Sequence, residues 1–413
     1  MTGSRRVGIG DLREFRFPSR PALDLAGHRL AFVVQQADAE KNRYNARIWL
    51  AEPGFGAAAP FTHGERDTDP LWLDDRRLLF RSERDNEDLP RATAPAVRSR
   101  YYVISTEGGE ATPWFTIERS VTWMRQLDET RFVVLTRWDP AAGEELAEDA
   151  TRVHTFSSAP IWSNGSGFLH DGRVRLGIFR ADEATLTDVT SETMQVAAAA
   201  LSPDRSRVLF VGVDYSGVYH PENRLYLCDL SGGELCDLGA RSGLPEGYFS
   251  LPAWADDHEV FFGFADRAEH GLNTSPQIYR INADEALRAD AASALAVKLT
   301  DEANVRFGVN SVGSDARLGT AVAGVGSDGA LYLVGTTGTD SALFRIDANG
   351  SLAVLTRENG SVDAFDVRAG SICYVAMRQG KLPEVFTLDH DNERRVTALN
   401  DAWHEEHDQI GRA

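Results

Sequence analysis

The residues best suited to chemistry are two glycine-flanked serines, a histidine pair near the C-terminus and two alternating aspartates. A serine hydrolase needs its nucleophile on a strained strand-to-helix turn, written G-x-S-x-G. Ser166 follows Gly165, but Asn164 stands where the first glycine is required, and Ser327 fails in the same way at Val325. Both read as Gly-Ser turns. His404, Glu405, Glu406 and His407 superficially match the zinc-peptidase pattern H-E-x-x-H. That pattern spaces its histidines four apart so that both face one side of a helix. Here they are three apart with both glutamates between them, so the segment reads as a solvated charged tail. Asp67 and Asp69 in GERDTDP alternate as calcium ligands do, but no glycine or later bidentate glutamate completes the loop. They read as turn aspartates. The chain has no phosphate-binding loop, no dinucleotide fingerprint and no C-x-x-C. No catalytic residue, cofactor or metal is expected, and Ser166→Ala and His407→Ala are expected to be silent.

The elements that would position such residues follow from composition and repetition. The 413 residues are 42% hydrophobic and 9% aromatic, enough for a large core, which excludes a disordered or fibrous chain. Length alone suggests two or three domains, unless repeats add length without adding separate cores. A net charge of −19 repels phosphate backbones and anionic lipid, so neither nucleic acid nor a membrane is expected as a partner. Lysine is confined to Lys41, Lys298 and Lys381 while arginine is abundant, which reads as a coding bias. Cys228 and Cys236 end a strand–turn–strand pattern that allows a bridge. With Cys373 the count is odd and lacks framework spacing, which points to reduced thiols. The N-terminal MTGSRRVGIGDLREF has no apolar signal core, and no apolar run approaches a membrane span. A soluble cytoplasmic protein is expected.

One unit recurs along the chain. Its first part reads LDLAGHRLAFVV (Leu23–Val34), LWLDDRRLLFRS (Leu71–Ser82), WMRQLDETRFVVL (Trp123–Leu135), LSPDRSRVLFVG (Leu201–Gly212) and AWADDHEVFFGF (Ala253–Phe264). Weaker copies lie at Val312–Ala323 and Phe365–Ala376. In SPD, Ser202 and Asp204 bond their own backbone and Pro203 fixes φ, so the chain reverses tightly. The second part also appears seven times, as ARIWLAE, RYYVIST, RLGIFRA, RLYLCDL, QIYRIN, ALFRID and EVFTLD. A turn such as SGG follows, then a short strand ending near threonine, as in VKLT, AVLT and RRVT. Each unit is about four short antiparallel strands over ~50 residues, the size of a propeller blade. The pattern predicts an all-β, seven-bladed β-propeller of four-stranded antiparallel blades. Residues 1–20 form a lead-in, and the blades span 21–64, 65–117, 118–193, 194–243, 244–303, 304–358 and 359–400, with a tail over 401–413. Trp72, Trp123 and Trp254 occupy matching places and read as packing residues.

Two units are irregular. The third carries a long stretch between Thr136 and Arg173, and the fifth carries ADRAEHGLNTS at Ala265–Ser275. Long structureless loops inside a compact domain are uncommon and often functional.

The order of these motifs carries a resemblance. LAGHRLAFVV, EKNRYNARIWL, PFTHGERDTDPLWLDDRRLLFRSERD, PIWSNGSGFLHDG, LSPDRSRVLF and RRVTALNDAW together resemble the propeller of the prolyl oligopeptidase family. The branch they resemble most is the acylaminoacyl-peptidase and dipeptidyl-aminopeptidase-like one. The resemblance implies a non-catalytic domain that gates and orients short peptides for an α/β-hydrolase serine peptidase domain in cis. The family's Ser, Asp and His have no counterpart in these residues. The chain stops just past ALNDAW, about where the hydrolase would begin, which favours a truncated peptidase. A homo-oligomer formed through the full-length protein is allowed for. The alternative is a free-standing TolB-like scaffold for protein interactions, and a propeller enzyme of the lactonase kind ranks below both. Family propellers present a charged residue to the substrate terminus, and the insertions supply the candidates. These are Arg267, Glu269 and His270 in the fifth unit and Arg137, Glu144 and Glu145 in the third.

Overall fold

The structure is a computed structural model. It describes residues 5–51, 54, 56–84, 98–138, 156–163, 167–169, 171–232, 234–288, 295–300, 305–308, 310, 324–325, 328–356, 359–389 and 392–407. Glu144, Glu145, Ser166 and Ser327 lie outside the described residues.

Seven antiparallel sheets, each built from consecutive strands, make a seven-bladed β-propeller. Blade 1 comprises Arg16–Leu23, Leu30–Asp38, Arg43–Ala51 and Ala58–Pro60, so its first strand starts inside the stretch read as lead-in. Blade 2 comprises Asp67–Trp72, Arg77–Ser82, Ser99–Ser105 and Thr112–Ile117. Blade 3 comprises Ser120–Gln126, Arg131–Trp138, Arg173–Arg180 and Thr185–Asp188. Blades 4 and 5 run from Met194 to Asp237 and from Tyr248 to Lys298. In blade 6 two short stretches, Arg306–Phe307 and Gly324–Val325, share the place beside Leu331–Thr337. Blade 7 runs from Gly360–Arg368 to Asn392–Arg395. The chain divides into two compact units, one of residues 1–87, 101–113 and 299–413, the other of 88–100 and 114–298. Among the described residues no helix is long and apolar enough to cross a membrane.

Within each unit the second strand of a blade is buried on both faces, which explains its unbroken apolar run. In the first unit Ala31 and Val33 pack with Trp72, Leu78 and Phe80 of blade 2. Leu30, Phe32 and Val34, on the other face, pack with Val375 and Val385 of blade 7. In the second unit Leu209 and Val211 face Phe262 of blade 5, while Val208 and Phe210 face Val133 and Leu135 of blade 3. The matching tryptophans tie one blade to the one before: Trp72 Nε1 donates to Ala22 O at 3.0 Å, and Trp254 Nε1 to Ala200 O at 3.1 Å. Trp123 is half-buried, with Arg125 stacked on its ring at 5.2 Å.

Two devices recur among the blades. Turn aspartates accept backbone N–H groups ahead of the second strand, as Asp74 does from Arg76 and Arg77 and Asp256 from His258 and Glu259. The terminal threonines are buried and accept from the third strand. Ile48 N reaches Thr62 Oγ1 at 3.1 Å, Leu176 N reaches Thr190 at 3.1 Å, Leu343 N reaches Thr356 at 3.0 Å and Val385 N reaches Thr397 at 2.9 Å.

Two expectations are corrected, the turn placement of Asp67 and Asp69 and the solvated tail, while the reduced-thiol reading of Cys228 and Cys236 agrees with the structure. Asp67 and Asp69 lie within the first strand of blade 2, not in a turn. Asp67 is buried against Ser82 and Arg84, and Asp69, at φ +56°, pairs with Arg20 and Arg81. Arg20, Asp69 and Leu251 share a repeated feature. Each has positive φ, precedes a proline (Pro21, Pro70, Pro252) and sits where the register of the first strand shifts by a bulge. Cys228 and Cys236 form no bridge, because Cys228 stands opposite Leu235 and Cys236 opposite Leu227, one pleat out of register. Nor is the tail solvated up to His407. A short helix, Asp401–Glu406, sets Trp403 edge-on to Phe15 at 4.9 Å, and His407 is buried.

Candidate functional site

In blades 3, 4 and 5 the connection from second to third strand is longer than a tight turn, and the three connections are linked. Asp171, at φ +57°, closes the base of the blade 3 loop. It accepts from Ser157 N at 3.0 Å, from Ser157 Oγ at 2.6 Å and from Ser158 Oγ. Burial pushes the Asp171 carboxyl up, but these donors outweigh it and hold it below the usual carboxylate range. The closed base carries a small ribbon, Trp162–Ser163 against Gly167–Phe168. It also presents Ala159 as an edge: Ala159 N donates to Gly217 O at 3.0 Å, and Tyr219 N donates to Ala159 O at 2.8 Å. The blade 3 loop is thus hydrogen-bonded to the blade 4 connection, Tyr215–Asn223.

Arginines stacked on tyrosines extend the linkage. Arg173 lies over the Tyr215 ring at 4.1 Å and donates to Asp171 O at 3.1 Å. Tyr215 meets Tyr219 edge-on at 5.2 Å. Arg267 of blade 5 lies over Tyr248 at 4.1 Å and donates to Pro221 O at 3.0 Å. Burial raises the Tyr215 and Tyr219 hydroxyls, and for Tyr219 the neighbouring Tyr248 and Tyr215 add to the effect. Above this base the loops expose apolar side chains. Ile161 is 46% exposed, Trp162 54%, Val218 65% and Leu272 71%. Exposed apolar residues gathered on neighbouring loops mark a contact surface more often than a solvated one.

The expected site residues fall differently from one another. Arg267 is half-buried and committed to Tyr248 and Pro221. Glu269 and His270 share its turn, with side chains 86% and 66% exposed and 3.8 Å apart. Arg137 sits within a strand opposite Val174, close enough to Gly172 that an added Cβ there would lie 3.1 Å from its Nη2. Sequence reading missed Tyr215, Tyr219, Tyr248 and Arg173. The signal was YSGVYHPEN, a connection with two tyrosines where blades 1, 6 and 7 turn more tightly.

These side chains suit binding. Burial pushes the Cys228 thiol up to about 11 and the Cys373 thiol well above its ordinary value, so neither is a reactive thiolate. Among the described residues, one group of metal-type donors converges: Asp11, Glu14 and His407.

No protein-family model matches the chain. Over 194 residues it is 29% identical to the uncharacterized peptidase YuxL of Bacillus subtilis, a match covering 45% of this chain and 28% of that one. Acylaminoacyl peptidase of Pyrococcus horikoshii superposes with a TM-score of 0.67 at 13% identity, over 95% of this chain and 54% of that one. The propeller domain of the Trilobed protease of Pyrococcus furiosus, described as having an open velcro topology, superposes with a TM-score of 0.56 at 13% identity. That match covers 94% of this chain and 97% of the other. The chain therefore spans about half the length of acylaminoacyl peptidase and less than a third of YuxL. By fold, the chain is a propeller of the kind found in prolyl oligopeptidase-family peptidases.

Proposed function

We propose that this chain is the gating and orienting propeller of a serine peptidase whose α/β-hydrolase domain is carried in cis, and that the substrates are short peptides. The observation that carries this reading is the lopsided coverage. Nearly all of this chain superposes on acylaminoacyl peptidase, yet only 54% of that enzyme is accounted for. The linked loops of blades 3, 4 and 5 support it, because loops on a rigid scaffold are where binding residues concentrate. On this reading Trp162, Val218 and Tyr219 form a lip toward the hydrolase, and Glu269 and His270 are the exposed polar side chains that meet a peptide terminus. A cytoplasmic location belongs to the same proposal and rests on the odd, unframed cysteine set. A free-standing scaffold is not what these similarities favour.

The test compares the hydrolase joined to this chain with variants that open the lip, Trp162→Ser and Tyr219→Ser, and with the hydrolase alone. Peptides of increasing length are the substrates. The joined protein is expected to cut short peptides and spare long ones, and the limit should relax in the lip variants and vanish without the propeller. An identical length profile in all of these proteins would overturn the gating role.

A further inference from the structure

We propose that Asp11, Glu14 and His407 bind a divalent transition-metal ion of the zinc type, which ties the N-terminal lead-in to the C-terminal helix. The ligands come from two segments that meet in the first unit. A 3-10 helix, Ile9–Arg13, carries Asp11 and ends at Glu14, and His407 directly follows the helix Asp401–Glu406. Arg5 N donates to Glu406 O at 2.9 Å, which holds the segments side by side. One donor atom from each of the three residues lies within 4.8 Å of the others.

The state of His407 carries the inference. Its ring stacks on Trp403 at 4.4 Å, with planes 12° apart, and its side chain is fully buried. Nδ1 lies 2.8 Å from Trp403 O. A carbonyl only accepts, so Nδ1 bears the hydrogen, and in the neutral ring Nε2 offers a lone pair. Nε2 has no hydrogen-bond partner, and it faces Asp11 Oδ2 at 3.6 Å. A lone pair aimed at a carboxylate oxygen is repulsive unless a cation stands between them. Donors about 2.0–2.2 Å from a tetrahedral ion lie about 3.4 Å from each other, close to the separation seen here.

The surroundings are those of a metal ligand set. A ligating histidine usually donates its other ring N–H to a carbonyl or carboxylate, as His407 does to Trp403. Asp11 is oriented by Arg5 on Oδ1 and by Gly8 N on Oδ2 at 2.6 Å, so its oxygen toward His407 is fixed in place. Glu14 is 41% exposed and leaves an open side for water. One imidazole and two carboxylates suit zinc or its neighbours, whereas calcium needs six or more oxygens. Among the described residues Arg5 is the one cation paired here, so a divalent ion leaves the cluster at a net charge of about +1, and a proton on His407 leaves it neutral. The competing occupant is therefore a proton.

His404 is not a ligand. Its Nε2 accepts from Leu382 N at 3.0 Å, which explains why the HEEH spacing is a poor guide to this site.

The test uses the full chain without an affinity tag, stripped by chelator, with zinc chloride as probe and calcium and magnesium chlorides as controls. Calorimetry should show one zinc bound per chain, and the melting temperature should rise with zinc alone. His407→Ala also removes the ring stacked on Trp403, so Glu14→Gln, at a half-exposed position, is the cleaner variant. Glu14→Gln should keep the metal-free melting temperature and weaken zinc binding at least about tenfold, since even outer-shell changes cost about 10–100-fold. Cobalt substitution should give visible absorption bands that are lost in His407→Ala. Zinc binding unchanged in Glu14→Gln would overturn the proposal. So would the absence of zinc binding to the stripped full chain.

Discussion

Asn400 meets the Arg16 peptide as a neighbouring strand would: its Oδ1 accepts from Arg16 N at 2.9 Å and its Nδ2 donates to Arg16 O at 3.0 Å. Each blade is built from consecutive strands, so among the described residues no sheet joins the two ends of the chain. Side chains reinforce that join in the first unit, beside the backbone bond from Arg5 N to Glu406 O. Asp366 of blade 7 accepts from Leu23 N at 2.7 Å, and Glu384 holds Asn400 N at 2.8 Å and Leu399 N at 2.9 Å. Asn400 is itself buried, and Asn400→Ala removes both of its bonds to the Arg16 peptide, each worth about 0.5–1.5 kcal/mol net. Urea denaturation should show a loss of about 1–3 kcal/mol, and an unchanged midpoint would show that the join does not depend on this contact.

The repeated threonines give a second expectation. Thr62, Thr190 and Thr356 are all buried and all accept from a third-strand N–H. Valine has the same shape without the acceptor, so each Thr→Val change should cost about 1–3 kcal/mol, and Thr→Ser clearly less. Equal losses for valine and serine would mean that packing of the methyl matters and the hydrogen bond does not.

Much of this was legible in the sequence because blades are local. A turn aspartate, an apolar second strand and a terminal threonine recur within one unit, so spacing alone exposes them. Trp72 and Trp254 were legible for the same reason. What escaped are partners far apart in the chain: Arg16 with Asn400, and Asp11 with His407, have no spacing to read. The exposed-tail reading of His407 failed because its burial comes from Trp403 and the lead-in helix. Tyr215 and Tyr219 escaped because their connection is shorter than those of blades 3 and 5, and Arg173, which stacks on Tyr215, lies in another blade.

Blade packing predicts a severe class of variant. Leu209 and Phe262 are fully buried on facing strands of blades 4 and 5. Leu209→Asp or Phe262→Asp would bury an unpaired carboxylate, at several kcal/mol against a total stability of about 5–15 kcal/mol. Neither variant should give a cooperative thermal melt. His407→Ala, expected from sequence to be silent, should lower the melting temperature through loss of the buried ring on Trp403.

Acid should loosen the blade turns. Burial pushes the Asp204 carboxyl up, but Ser202 and Ser206 donate to it and hold it below 3.8, its ordinary value. A carboxyl depressed in the folded state contributes stability above its unfolded pKa, and that contribution is lost as pH falls through the folded pKa. Asp204→Asn should therefore be less stable than the parent at pH 7, and the gap should close as pH falls below 3.8. Glu384 has the opposite sign. Burial raises it above 4.5 despite the Thr397, Leu399 and Asn400 donors, so its contribution favours folding at low pH and declines as pH rises from there. A gap for Asp204→Asn that stays constant from pH 7 to pH 3 would rule out the turn carboxylate as its source.

The blade 5 turn separates a charge that positions from a charge that reads. Arg267 is held by the Tyr248 ring and Pro221 O, so its removal should disturb the blade 4 connection and act on every substrate alike. Among the described residues Glu269 pairs with His270 at 3.8 Å, and its side chain is 86% exposed, which on the proposed reading leaves its carboxylate open to a free peptide amine. With the hydrolase joined, Glu269→Ala should lower kcat/KM for free-amine peptides about tenfold, equivalent to about 1.4 kcal/mol, and leave N-blocked peptides unchanged. Arg267→Ala should lower both classes together and reduce the melting temperature as well. A free-to-blocked ratio that moves less than about twofold in Glu269→Ala would show that this turn does not read the terminus, since twofold is well below the tenfold step of one such contact. The ratio is the decisive quantity, because a general loss of stability moves both substrates and cancels from it.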